Sequence, residues 1–341
     1  KNINSRVGPI NTVMCKKCNL VQLQDNFDLK YLYGPDYGYR TGINATMTNH
    51  VKKVAHILSK KANIKKGDWV LDVASNDGTL LNFYKRNLVT FGIDPLVNKF
   101  KTNYKHINFK LSDFFSAKKI IAKTSGNKFK IITALSVFYD LQDPNSFLKG
   151  VEKILAEDGI LLLEFADLAS IIKYNMFDTF CHEHLEYYSA KIIQEMSSKN
   201  NLRIFNVAQN NINGGSVQFY ICKQKAKYKD NVAALKKIHR TDKKYKLDQV
   251  ATYKKFIERV NKIKNSLKIF IKKAKTNNKI IHGYGASTKG NVLLQYFGLS
   301  NKEISYIAER NPKKYNLYTP GTKIKIISEK DSRAMKPDYY L

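Results

Sequence analysis

The chain has 341 residues, 43% hydrophobic and 12% aromatic, enough to bury more than one core, so two or three folded domains are expected and general disorder is excluded. Lys and Arg number 59 against 28 Asp and Glu, a net charge of +31, yet the lysines are scattered, cluster only around 236–246 and 262–275, and accompany no arginine-aromatic module, so we expect a solvated Lys-rich surface and no nucleic-acid partner. No apolar run approaches the roughly 20 residues of a membrane span, no signal-peptide pattern opens the chain and four cysteines make no disulfide framework, which together point to a cytoplasmic protein with no membrane partner.

Lys1 stands where an initiator Met would, and Leu341 ends a segment of ordered character, so a piece of a longer protein is expected. Residues 1–45 are rich in Cys, Tyr and Gly with little helical periodicity and read as a small loop-rich module. A helix from Asn44 to Lys60 leads through Gly67-Asp68 into a buried strand, Trp69 to Val73. There follow a helix (Thr79 to Lys85), strands at Thr90 to Ile93, near Ile107 to Leu111 and at Lys130 to Leu135, and a helix from Pro144 to Ala156. Asp158-Gly159 then turns the chain into the strand Ile160 to Phe165. Strands alternating with helices predict a doubly wound α/β sheet. Residues 187–222 read as a helix and a hairpin through Asn213-Gly214-Gly215-Ser216, and one long Lys-rich helix is predicted from Val232 to Lys275. A second α/β unit begins with a strand at Lys279 to Gly283, a Gly-rich turn, a helix from Gly290 to Phe297 and a strand from Ile304 to Ala308.

In such a sheet a ligand lies beyond the carboxyl ends of the strands. The first turn, Ala74-Ser75-Asn76-Asp77-Gly78, is built of small residues that let backbone N–H groups approach a ligand. Asp72 can orient an amino group, Asp94 before Pro95 can accept ribose hydroxyls, and Asp113-Phe114 can hydrogen-bond and stack on adenine. Three acidic strand ends in this order predict a class I S-adenosylmethionine (SAM) methyltransferase domain, with Ser136 at the end of the fourth strand also assigned to the cofactor. A dinucleotide site would want Gly-x-Gly-x-x-Gly here, and the turn lacks it. Cys15 and Cys18 have zinc-knuckle spacing, although a structural zinc needs four ligands and no second close pair is present.

The order of Cys15-Lys-Lys-Cys18, Tyr37-Gly-Tyr39-Arg40-Thr-Gly, Ser75-Asn-Asp-Gly78, Thr179-Phe-Cys-His-Glu-His184-Leu-Glu-Tyr-Tyr188, Asn213-Gly-Gly-Ser216, Gly283-Tyr-Gly-Ala-Ser-Thr-Lys-Gly-Asn291 and Tyr318-Thr-Pro-Gly321 resembles the sugar C-methyltransferases, which alkylate nucleotide-linked keto-deoxysugars. The resemblance spans nearly the whole chain. It implies a zinc-binding remnant at 1–45, a class I SAM domain with a Rossmann-like sheet at 46–225 and a C-terminal Rossmann-like sugar-nucleotide domain at 226–341. It further implies SAM as cofactor, a small-molecule nucleotide-linked sugar as partner, and a structural zinc on Cys15 and Cys18 completed by an upstream cysteine pair.

Abstraction of a proton beside a ketone needs a base near neutrality and stabilisation of the enolate. By resemblance His184 is the base, tuned by Glu183, with His182 in the same cluster. Tyr37, Tyr39 and Arg40 correspond to an aromatic lid over cofactor and substrate, and Asn213, Gly214, Gly215 and Ser216 to a wall for the sugar ring. Tyr284, Ala286, Ser287, Lys289 and Asn291 of the Gly-rich turn are assigned to the sugar nucleotide, whose pyrophosphate would meet N–H groups and a cation. The family often places Tyr at the position of Cys181 and His at that of Val137, which leaves the donor to the substrate oxygen open. Three other readings stand beside this one. A nucleic-acid methyltransferase is disfavoured because no Pro-Pro occurs in the chain, and a non-catalytic scaffold would bind SAM without transfer. A nicotinamide oxidoreductase is suggested by Gly283-Tyr-Gly285, but no acid stands unambiguously at the usual place after the next strand, where Glu309 is the one candidate.

Overall fold

The computed structural model describes residues 7–34 and 37–341, and the chain divides into two compact units, 12–170 with 183–248, and 7–11, 171–182 and 249–341. Residues 1–6 and 35–36 of the predicted N-terminal module lie outside the described residues.

The larger unit opens with a β-hairpin, β1 (Thr12–Met14) and β2 (Val21–Leu23), turned by the Cys15–Cys18 loop with Asn19 left-handed at φ 63°. A one-turn helix, α1 (Leu29–Leu32), precedes α2 (Ala45–Lys61), which is capped by the Asn44 side chain on the Met47 N–H and buries Val51, Val54, Ala55 and Leu58 along one stripe. The main sheet then forms from β3 (Trp69–Val73), β4 (Val89–Ile93), β5 (Phe109–Leu111), β6 (Phe129–Leu135), β7 (Leu155–Ala166), β9 (Leu202–Asn210) and β10 (Ser216–Lys223). Its spatial order is β5-β4-β3-β6-β7-β10-β9, with the first five strands parallel and β10 antiparallel to both its neighbours. The short strand β8 (Glu186–Tyr187) pairs with β2. The connections include α3 (Ala117–Lys123), α4 (Pro144–Ile154), α5 (Leu168–Tyr174), α6 (Ala190–Lys199) and α7 (Val232–Lys244). Each face of the sheet carries its own core, one built on Phe91, Phe129, Phe138, Phe165 and Phe219, the other on Leu58, Val70, Ile131, Leu162 and Tyr104. Strand order reverses between β3 and β6, so the crevice at their carboxyl ends is the position this topology offers to a ligand.

The smaller unit is led by α8 (Val250–Thr276) and holds a four-stranded parallel sheet in the order β13-β12-β11-β14. Its strands are β11 (Ile281–Tyr284), β12 (Tyr306–Glu309), β13 (Lys325–Ser328) and β14 (Tyr339–Tyr340), joined with α9 (Thr288–Phe297) and α10 (Glu329–Ala334).

The α/β class, with a doubly wound SAM-domain sheet, is as the sequence predicts. Three local expectations are corrected. The helix over 79–85 is a single 3-10 turn, Leu81–Phe83, in which the Phe83 and Tyr84 N–H groups close onto the Leu80 and Leu81 carbonyls, and Tyr84 then leaves in extended conformation to be buried. Asp158-Gly159 lies inside β7, where the ladder to β6 is irregular between Phe129 and Ile131 and Gly159 leaves no room for a Cβ beside the Phe129 carbonyl. The long Lys-rich helix is broken at 245–249, where Lys246 takes φ 50° and Leu247 is buried. Helical periodicity cannot show such a break, since the apolar spacing resumes after it.

Candidate active site

The turn after β3 is held in an uncommon shape. Ala74, Asn76 and Gly78 have φ of 55°, 51° and 73°, and Ser136, just beyond β6, has φ 54°. Left-handed non-glycine residues cost free energy and gather at functional sites. Here they flank both sides of the strand-order reversal. Asp72 is 5% exposed, and its carboxylate accepts from the Thr133 hydroxyl at 2.6 Å across the β3–β6 ladder. Burial pushes it up to about 7 and Asp94 pushes the same way, while the Thr133 bond opposes. A buried carboxylate without a cation beside it is suited to receive an ammonium group. Asp94 accepts from the N–H groups of Asn76 at 2.9 Å and Leu96 at 2.7 Å, and burial raises it to about 6. Each oxygen keeps a lone pair, as two ribose hydroxyls would need. Ser75 shares a hydrogen bond with the Tyr104 hydroxyl at 2.8 Å.

Several predicted cofactor residues serve the turn itself. The Asn76 side chain accepts from the Thr41 N–H and donates to the Tyr39 carbonyl, and Asp77 accepts from the Gly42 N–H at 3.1 Å and from Thr79. Arg40 lies 3.5 Å from Asp77 and 5.0 Å from the Phe100 ring centroid. The segment 39–42 is thereby pinned on the 74–78 turn, with Tyr39 itself 44% exposed. The Tyr37 carbonyl accepts from Lys99, and the Tyr37 ring packs 5.0 Å from Tyr33. On the β4–β5 side, Asp113 accepts from the Phe114 N–H and pairs with Lys119, which holds it below the usual carboxylate range, and the Pro95 carbonyl accepts from Ser112.

Beyond β6 the chain makes a 3-10 turn, Phe138–Asp140, and the segment after α5 returns to it. The Leu185 N–H donates to the Tyr139 carbonyl at 2.8 Å, and the His184 ring packs 4.2 Å from the Tyr139 ring. Glu183 is raised by burial alone. Three acids gather here: Asp140, raised well above its ordinary value by burial although Tyr33 donates to it at 2.7 Å, Glu186, raised to about 8 by burial, and Glu183. Among the described residues, Asp140 Oδ1, Glu186 Oε2 and the Tyr188 hydroxyl are buried without a partner that meets hydrogen-bond geometry. Val137 packs against the core, so Tyr139 is the residue of this turn that meets His184. At the β9–β10 hairpin, Asn213, Gly214 and Gly215 take φ of 54°, 89° and 142°, and Ser216 is buried with its hydroxyl on the Ile212 carbonyl.

His182 falls in the smaller unit, where its Nε2 lies 2.9 Å from the Gly8 carbonyl. Cys181 is buried. In the Gly-rich turn of the same unit, the Gly285 N–H donates to Ala308 and the Ala286 N–H to Glu309, while Lys314 donates to the Ala286 carbonyl. At the N-terminus of α9, Ser287 caps the Gly290 N–H, Lys289 lies in the first turn, Asn291 Oδ1 is buried without a hydrogen-bond partner among the described residues and the Tyr284 hydroxyl is held by Arg310. Cys15 and Cys18 sit half-buried in the β1–β2 turn, and the Cys18 and Lys17 N–H groups hold the Cys15 thiol below its ordinary value, as a thiolate ligand requires. Among the described residues no third His, Cys, Asp or Glu joins them.

Sequence reasoning missed Thr133, Tyr139, His50 and Glu164. Glu164 Oε1 lies 2.7 Å from His50 Nε2, and both side chains are nearly buried. The signal was an acid within the apolar stretch 160–166 of β7 and a histidine four residues before the buried Val54 of α2.

A family model for the C-methyltransferase C-terminal domain matches residues 211–341, and one for a methyltransferase domain matches residues 39–207. The C-methyltransferase NovU of Streptomyces niveus is 25% identical over 335 residues, 98% of this chain and 79% of that protein. A SAM-dependent methyltransferase from Clostridium acetobutylicum, of known structure, is 13% identical, with 52% of this chain and 92% of that chain covered and a TM-score of 0.42. The magnesium protoporphyrin IX methyltransferase of Synechocystis, solved with S-adenosylhomocysteine (SAH), is 14% identical, with 57% and 92% covered and a TM-score of 0.40.

Proposed function

The chain belongs to the SAM-dependent C-methyltransferases, and we propose that it methylates the carbon beside the ketone of a nucleotide-linked keto-deoxysugar, with His184 as the base. The observation that carries this reading is the packing of His184 on Tyr139, immediately beyond β6, the strand next to the one that bears Asp72. A base at that place faces the crevice at the strand-order reversal.

In this reading Asp72 receives the amino group of SAM, Asp94 its ribose, and the 74–78 turn its backbone contacts, with Asp113 and Phe114 at adenine. The cofactor supplies an electrophilic methyl group. His184 takes the α-proton, Glu183 beside it in sequence favours the imidazolium that results, and the Asn213–Ser216 turn bounds the sugar. The α9 N-terminus with Lys289 is proposed to hold the pyrophosphate, and a zinc bound through Cys15 and Cys18 would brace the β1–β2 turn, given two further ligands. Transfer of label from SAM to 4-keto-6-deoxysugar nucleotides, followed by assignment of the methylated carbon by NMR, tests the substrate. Label on oxygen or nitrogen, or on no sugar, overturns it.

A further inference from the structure

Glu164 stands near the carboxyl end of β7, in register with Leu135 at the end of β6, and its main-chain carbonyl accepts from the Ser136 N–H at 2.7 Å. Its carboxylate is 2% exposed, and Gln218 and Asn210 both donate to Oε2. Gln218 is held in turn by the Tyr220 hydroxyl, which donates to its Oε1 at 2.9 Å. Oε1 is left to His50 Nε2 at 2.7 Å. The ring of His50, 11% exposed, therefore directs Nε2–H to the acid, and Nδ1 makes no hydrogen bond among the described residues.

A surface pair would need none of this. Glu164 from β7, Asn210 from β9, and Gln218 and Tyr220 from β10 form the network that fixes the one imidazole of α2 at the rim of the sheet, on the side away from Asp94 and Asp113. In the proposed binding mode those two acids hold the adenosine half of the cofactor over β4 and β5, which leaves the rim of β6 and β7 to the methyl acceptor. We propose that His50, oriented by Glu164, is a second catalytic residue, whose imidazole donates from Nδ1 to the acceptor's carbonyl oxygen as enolate charge develops on it. This rests on the proposed reaction and supplies the oxygen donor that Val137 and Cys181 leave open. The α C–H bond breaks with its proton passing to His184, and its electron pair moves into the enolate, whose oxygen His50 holds. That pair then forms the bond to the incoming methyl carbon as the ketone returns, the electrons of the S–CH3 bond stay on sulfur, and the proton leaves His184 to water.

His50→Gln separates this role from a strut, because glutamine can still donate to Glu164 but cannot carry the charge. The expected result is a fall in kcat of about 100-fold or more with the sugar KM and SAM affinity held within about threefold, the size seen when one oxyanion donor is removed. A kcat within about tenfold of wild type overturns the proposal. If His50→Gln fails to bind SAM and so has not folded, Glu164→Gln, which keeps the shape and removes the charge, is read by the same criterion. If wild type methylates no sugar of the panel, the substrate assignment falls, and the pair is judged on its own by ¹⁵N NMR of the His50 ring with SAH bound. Both ring nitrogens protonated at neutral pH, with Nδ1–H lost in Glu164→Gln, keep the proposal. A neutral ring indifferent to Glu164→Gln overturns it.

Discussion

The Thr133 hydroxyl donates to Asp72 at 2.6 Å from the neighbouring strand, and this is the one side-chain hydrogen bond that favours the charged form of the acid placed to receive the SAM amino group. Thr133→Val removes the bond and leaves the buried shape. Asp72 then rises further, and SAM affinity at pH 7 falls by about tenfold, the equivalent of one pKa unit. Calorimetric titration across pH checks it, since affinity lost by the variant at pH 7 is regained at higher pH.

The same acid sets a pH dependence for the unsubstituted chain. Its folded value of about 7 lies above its ordinary 3.8, so the charged form that binds an ammonium group is depleted as pH falls through about 7. SAM affinity is expected to level off above about pH 8 and to weaken about tenfold for each unit below about 7. In Asp72→Asn the slope disappears along with most of the affinity.

Asp140 and Glu186 predict a stability profile. Both are raised in the folded chain by burial, so the sign is that of a group whose ionisation opposes folding. Their neutral forms prevail at low pH, and stability is lost as pH rises from the ordinary carboxylate range, through about 8 for Glu186. Asp140→Asn should therefore raise the melting temperature at pH 8 and leave it nearly unchanged at pH 4. Equal shifts at both values would show that ionisation of Asp140 does not set the profile.

Gly215 has φ 142°, and a Cβ there would stand 2.8 Å from the Ser170 Cβ. Backbone strain and overpacking act together in Gly215→Ala, with an expected loss of about 3 kcal/mol. Denaturant unfolding measures it. Gly67, also at positive φ but with nothing within 4 Å of its Cβ, should lose about 1 kcal/mol in the same substitution.

What the sequence made legible was periodic or local. The run Trp69 to Val73 declared β3 to the residue, and the small residues of 74–78 declared a ligand turn, because strand burial and close backbone approach leave direct marks on residue choice. Partnerships across distant residues left none. Glu164 meets His50 across 114 positions, and Tyr33 meets Asp140 across 107, so neither pair has a spacing to read. The side chains of Asn76 and Asp77 pin residues 39–42, a role that the sequence does not separate from ligand contact, since a short polar side chain in a turn serves either purpose equally well.

The central claim is tested most directly by methyl transfer from labelled SAM to a panel of nucleotide-linked 4-keto-6-deoxysugars, by the unsubstituted chain and by His184→Ala. The account predicts a carbon-methylated sugar from the former, and from the latter a rate lower by about 100- to 10,000-fold with SAM affinity unchanged. SAM binding with transfer to no sugar, or a His184→Ala variant as fast as the unsubstituted chain, would contradict it.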